Sequence, residues 1–218
     1  MEIVFEARKL ANYIGGLDTF ETLYVESEFC YQHIGALFVD ITLQAGLNYQ
    51  SVVKPRVQRV LLNYPEADTV LKFRDAIEAW GLETIIKWRN SIKINRLERL
   101  ISFALANEIN TCADFKIFLM NANNREEFQK LNGVGPKTVD YTLKLLNFDT
   151  VAVDRHIYAF VEMADVKPEG YAFTKKVVEF AADFLQISRS SMDYSIWKYM
   201  SNAERSLDKN TSQLELAL

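Results

Sequence analysis

A chain of 218 residues, 49% hydrophobic and 25% charged, has the make-up of a folded globular protein that buries a core in one compact domain or two small ones. Its formal net charge of −4 argues against a protein that coats nucleic acid non-specifically, since affinity for a polyanion grows with the phosphates neutralised by a local basic surface. Local and net charge can differ, so the balance narrows the reading without deciding it.

With only 8 glycines, 4 prolines and little period-2 alternation, the chain is expected to be all-α. Cys30 and Cys112 lie far apart with no CxxC companion, so they form no metal or cluster signature, and a reducing intracellular environment is the default. No signal peptide and no bilayer-length apolar run is read. The expected location is cytoplasmic, or nuclear in a eukaryote, with no membrane partner.

In chain order, residues 10–16 read as a short helix or loop stopped by glycine, and residues 17–30 are acidic and aromatic without a clear pattern. Ile34, Leu37, Phe38 and Ile41 place a buried helix in 31–43. A loop over 44–49 follows, and Ser51 is expected to cap a helix through Val57, Val60 and Leu61. Asp68 and Thr69 open a helix that ends near Trp80 and Gly81. The next runs through Ile94, Leu97, Ile101 and Leu105, with Lys93, Arg96 and Arg99 turned to water. Residues 114–120 form an apolar helix, 121–124 a polar loop, and 125–131 another helix. Beyond residue 136 the expected helices are 137–146, 155–164, 171–185 and 191–200, followed by a frayed polar tail.

The stretch Leu131-Asn132-Gly133-Val134-Gly135-Pro136-Lys137-Thr138 joins two of these helices through a glycine turn. Gly133 and Gly135 can take positive φ and expose backbone amides at close range, and Pro136 presets the first helical turn. Free amides beside a helix N-terminus suit a phosphate oxygen. Downstream, Asp154 stands at an N-cap position after Val151-Ala152-Val153. Lys137 and Asp154 each lie near the N-terminus of a helix, where the dipole disfavours a protonated amine and favours a carboxylate. That pair suits a nucleophilic lysine and a carboxylate that stabilises a developing cation or holds a water. Asp140, on the face of Lys137, works the other way by holding a proton on the amine.

Residues 131–138 followed by Val151-Ala152-Val153-Asp154-Arg155-His156 resemble the helix-hairpin-helix-GPD superfamily of DNA glycosylases, the endonuclease III and 8-oxoguanine glycosylase group. The resemblance implies an all-α protein of two helical domains with the active site in the cleft between them. A helix-hairpin-helix domain would span 31–149, and segments 1–30 and 150–218 would form the second domain. It implies a monomer that acts on double-stranded DNA containing a damaged base. Lys137 would be the nucleophile on the sugar C1′, forming a Schiff base and then cleaving the strand, and Asp154 would be the residue needed for base release. The hairpin at Gly133, Val134, Gly135 and Thr138 would hold a backbone phosphate, a bound monovalent cation being compatible with it.

Base release requires the target nucleotide to leave the stack, and Gln44, Asn48 or Tyr49 would fill the gap. Asp40 falls where adenine-mismatch glycosylases carry a glutamate acid. The four C-terminal cysteines that bind an iron–sulfur cluster in many members are absent here, so a cluster-free branch without cofactor or metal is implied. Val139 replaces the usual alanine. Three other readings stay open: a monofunctional glycosylase with an Asp154-activated water, a non-catalytic DNA-binding module, and an acidic helical interaction protein. His33 and His156 read as structural, Trp80, Trp88 and Trp197 as core, and Arg155 as a surface cation. The excised lesion is left open.

Overall fold

The computed structural model describes residues 2–24 and 30–215, with side chains described as far as Asn202. These residues form twelve α-helices and one π-helical turn and no strand, so the all-α expectation holds. Among them no helix is long and apolar enough to cross a membrane. The chain makes two compact units, one of Met1–Ser27 with Phe148–Leu218 and one of Glu28–Asn147.

The first helix, α1 (Glu2–Gly15), is longer than residues 10–16, because Ala7, Leu10, Ala11 and Ile14 make a continuous buried stripe at helical spacing. In the other unit α2 (Ile34–Leu43) is buried at every position. His33 caps it: Nδ1 accepts the Ala36 amide at 3.1 Å and Nε2 donates to the Tyr64 carbonyl at 3.0 Å. The structural reading of His33 is thereby met.

Residues 49–53 form a π-helical turn that runs into α3 (Lys54–Asn63). Asn48, not Ser51, is the cap, its Oδ1 accepting both the amide and the hydroxyl of Ser51 at 2.9 Å. Thr69 caps α4 (Val70–Trp80), and α5 (Leu82–Ile86) follows Gly81. Trp80 is 64% exposed at the end of α4, against the expectation of a core residue. Trp88 is half-buried with the Arg56 guanidinium 4.7 Å from its ring centre.

Asn90 caps α6 (Ser91–Ala106), and Thr111 with Asp114 forms a reciprocal capping box on α7 (Cys112–Met120). Asn121, read as part of a loop, caps α8 (Ala122–Gln129). α9 (Pro136–Leu145) closes this unit. Its centre is aromatic: Phe115 meets Phe38 and Phe128 edge-on, with ring centres 5.8 Å and 5.4 Å apart.

The first unit is completed by α10 (Arg155–Met163), α11 (Tyr171–Leu185) and α12 (Arg189–Glu215). Leu10, Phe160, Val177, Ala181 and Ile196 lie at its core. The helix expected to end at residue 200 continues as backbone helix to Glu215. The segment holds no glycine or proline to stop the helix.

Lys93 departs most from its expectation. It is buried, and its ammonium donates to the carbonyls of Thr42 and Ala45 at 2.8 Å, satisfying the C-terminal end of α2. Arg99 stays exposed and Arg96 is half-buried. Burial, and then the charges of Arg96 and Lys137, lower the Lys93 amine to about 8.

Replacing Lys93 with Met should cost about 1–3 kcal/mol, the desolvation of two carbonyls left without a donor, read from urea unfolding. A lysine whose folded value lies below its ordinary 10.5 binds fewer protons folded than unfolded above pH 8. The wild type should therefore gain stability relative to Lys93→Met as pH rises from about 8 to 10.5.

Candidate functional site

The turn between α8 and α9 is built on one left-handed residue. Gly133 has φ +89, whereas Gly135 is extended at φ −99 and forms the N-cap of α9, so positive φ is needed at the first glycine only. A Cβ on Gly133 would lie 2.4 Å from Arg96 Nε, so the missing side chain also makes room for the guanidinium to lie on the turn. The Val134 amide is spent inside the turn on the Leu131 carbonyl at 2.9 Å. Among the described residues the Gly133 and Gly135 amides have no acceptor within the chain. Among the described residues Arg96 Nε is likewise buried without a hydrogen-bond partner, at a small recess also lined by Thr42, Asn132 and Thr138. The local chemistry is that of an anion cradle, with two open amides, a helix N-terminus and a guanidinium.

Pro136 occupies the first position of α9, which puts Lys137 in its first turn, half-buried. The Lys137 Nζ donates to Gln44 Oε1 at 2.5 Å and lies 5.5 Å from the centre of the Tyr141 ring. Tyr141 stands one turn along α9 from the lysine, so helical geometry sets the ring beneath the amine. Gln44 is therefore not a free side chain on a loop: it terminates α2, and its Nε2 is buried with no partner among the described residues.

Behind this pair lies Asp40, 0% exposed on the otherwise apolar α2. Tyr31 donates to its Oδ2 at 2.7 Å and Tyr141 to its Oδ1 at 2.8 Å, while the Tyr49 hydroxyl interacts with the same carboxyl. Burial holds the Asp40 carboxyl above the usual carboxylate range, against the three hydroxyls and the Lys137 charge that favour its ionised form. Burial and the Asp40 charge push the Tyr49 phenol up to about 12 and also raise those of Tyr31 and Tyr141. The carboxyl is sealed from solvent, so it does not present an acid to a bound molecule.

In the other unit Asp154 is half-buried and caps α10, its Oδ1 accepting the amides of His156 at 2.9 Å and Ile157 at 3.2 Å. Among the described residues Oδ2 receives no hydrogen bond, which leaves one carboxylate oxygen for chemistry while the other fixes its direction. The apolar lead-in to Asp154 is pinned from α12, where Asp193 Oδ2 accepts the Ala152 amide at 2.7 Å. His156 is buried and Arg155 exposed.

No family model, curated protein or solved structure matches this chain. The site is therefore read from its own chemistry. Of the sequence-predicted residues, Gly133, Val134, Gly135 and Lys137 share the hairpin, Gln44 joins them through the Lys137 hydrogen bond, and Tyr49 through Asp40. Asn48 is exposed but committed to capping, and the Thr138 side chain is buried. Sequence reasoning missed Tyr31, Lys93, Arg96 as a turn-lining residue, and Asp193, each of which acts through a partner distant in the chain. Cys112 is buried and its thiol is pushed up to about 12 by burial and by Cys30, which leaves it a poor nucleophile. Both cysteines are free thiols.

Proposed function

We propose that the protein is a base-excision DNA glycosylase with abasic-site lyase activity, acting on duplex DNA that carries a damaged base. The observation that carries the reading is the Lys137 amine, held in the first turn of α9 beside two open hairpin amides. The hairpin would take a backbone phosphate of the bound strand. Asp154, with one oxygen fixed by its cap and one open, would oppose the positive charge that develops on the sugar as the base leaves.

In the lyase step the neutral Lys137 amine attacks C1′, the bond from C1′ to the base nitrogen breaks, and the base leaves with that electron pair and takes up a proton. The sugar ring opens to a protonated Schiff base. Loss of a C2′ proton then expels the 3′ phosphate, and water releases the lysine. The engagement of Lys137 by Gln44 and Tyr141 gives a second reading its support, in which the amine only binds and an Asp154-held water attacks instead.

Incubation with duplexes bearing oxidised purines and pyrimidines in the presence of borohydride decides between these. A covalent complex that forms with wild type and is lost in Lys137→Gln is the expected result. Base release without trapping selects the water mechanism. Saturable binding with no release on any lesion leaves only a DNA-binding module, and the enzymatic reading fails.

A further inference from the structure

A fully buried carboxyl on an apolar helix is a costly choice, because a hydrophobic side chain of similar size fills such a place without desolvating a charge. Asp40 is retained there with both oxygens taken by tyrosine hydroxyls, at 2.7 Å and 2.8 Å. Tyr31 and Tyr49 meet the same carboxyl. Tyr141 is different, since its hydroxyl donates to Asp40 while its ring lies under the Lys137 ammonium at 5.5 Å. A hydrogen bond to a carboxyl fixes the phenol end of that ring, and donation to an ionised carboxyl is roughly twice as strong as a neutral contact. It also enriches the ring face that attracts the cation.

Gln44 lies one turn beyond Asp40 along α2 and grips the same amine directly. One turn of α2 thus holds Lys137 at two points, once by the amide of Gln44 and once by the tethered ring. The hydrogen bond between Tyr141 and Asp40 spans 101 positions of sequence, so the tether joins two helices that local structure alone would not register.

We propose that Asp40 is a positioning residue for the Lys137 amine, acting through the Tyr141 hydroxyl to fix the ring on which that amine rests. Its functional meaning rests on the reading of Lys137 as the reacting amine, but the placement of the amine can be read without DNA. Asp40 itself touches no substrate, because its carboxyl has no exposed surface.

Reductive methylation with carbon-13 formaldehyde labels every lysine without removing its charge, and the Lys137 resonance is identified by its absence in Lys137→Arg. Above the Tyr141 ring this resonance is expected to be displaced upfield of the exposed lysines. Tyr141→Phe keeps the ring and cuts the tether, so the resonance should move back toward the exposed group. Asp40→Leu, which removes both acceptors from an apolar helix, should move it the same way. Tyr31→Phe removes another hydrogen bond from Asp40 without touching the Tyr141 path and should leave it in place.

In parallel, borohydride trapping on an abasic-site duplex at saturating DNA should slow by about 10- to 100-fold in Tyr141→Phe with unchanged half-saturation, as expected for a misplaced nucleophile. A Lys137 resonance unmoved by Tyr141→Phe, or moved equally by Tyr31→Phe, overturns the proposal. Should Asp40→Leu not fold, the two tyrosine variants decide the matter alone. Absence of trapping in wild type would count against the lyase reading, while the resonance shifts would still test the positioning.

Discussion

Asp154→Asn is expected to leave the melting temperature nearly unchanged and, if the protein is the proposed glycosylase, to slow base release by about 10²–10⁴-fold, the range for loss of a positioned charged or acid–base group. The two outcomes separate because the carboxylate has two oxygens in two situations. Oδ1 accepts the His156 and Ile157 amides, and an asparagine oxygen caps a helix as well as an aspartate oxygen does. Oδ2 is not needed by the cap, and in the asparagine it becomes a neutral amide nitrogen that can neither oppose a developing cation nor take a proton from water. Asp154→Ala removes both roles. It should unfold about 0.5–2 kcal/mol more easily, the cost of losing an N-cap, and lose the activity as well. Duplex affinity measured at fixed salt should survive in Asp154→Asn. If that variant keeps the wild-type rate, Asp154 is a cap and nothing more.

The parts of the fold that were legible in the sequence are those whose causes are local. The start of α9 is written in Gly135-Pro136 and the start of α10 in Asp154, because caps are made by residues within three positions of the helix they begin. The bounds of α11 follow from apolar spacing between Gly170 and a polar stop. The buried face of α2 was legible for the same reason, yet Asp40 within it was not, since its partners Tyr31 and Tyr141 lie 9 and 101 positions away.

Lys93 shows the same limit. Its spacing with Arg96 and Arg99 describes one basic stripe, but the acceptors that bury it are 48 and 51 positions upstream. Each of these three cations meets a different fate on α6: one inside a helix end, one against a glycine turn, one in water. Polarity was also a poor guide to helix ends. Asn121 reads as loop and proves to be a cap, and the polar continuation of α12 keeps its helix because nothing in it breaks one.

The two hairpin glycines should respond in opposite ways to the same methyl group. Gly133→Ala forces a side chain onto a residue at φ +89 and brings its Cβ to 2.4 Å from Arg96 Nε. The backbone strain alone costs about 1–3 kcal/mol. The collision adds to this to the degree that Arg96, whose Nε is already buried, cannot swing aside. An Arg96→Ala background should relieve the collision and leave the strain, so a double-mutant cycle by chemical denaturation divides the two.

Gly135→Ala meets neither obstacle, because its φ of −99 is open to any residue and nothing lies within 4 Å of the new Cβ. Its stability should stay level or rise by up to about 1 kcal/mol as the unfolded chain loses freedom. The methyl does stand on the residue that carries one of the two open amides. If the hairpin cradles a phosphate, Gly135→Ala should weaken duplex binding in a folded protein, whereas Gly133→Ala should weaken binding and folding together. Equal destabilisation by both would refute the single left-handed residue on which the turn is built, and undiminished duplex affinity in Gly135→Ala would remove the hairpin from the DNA interface.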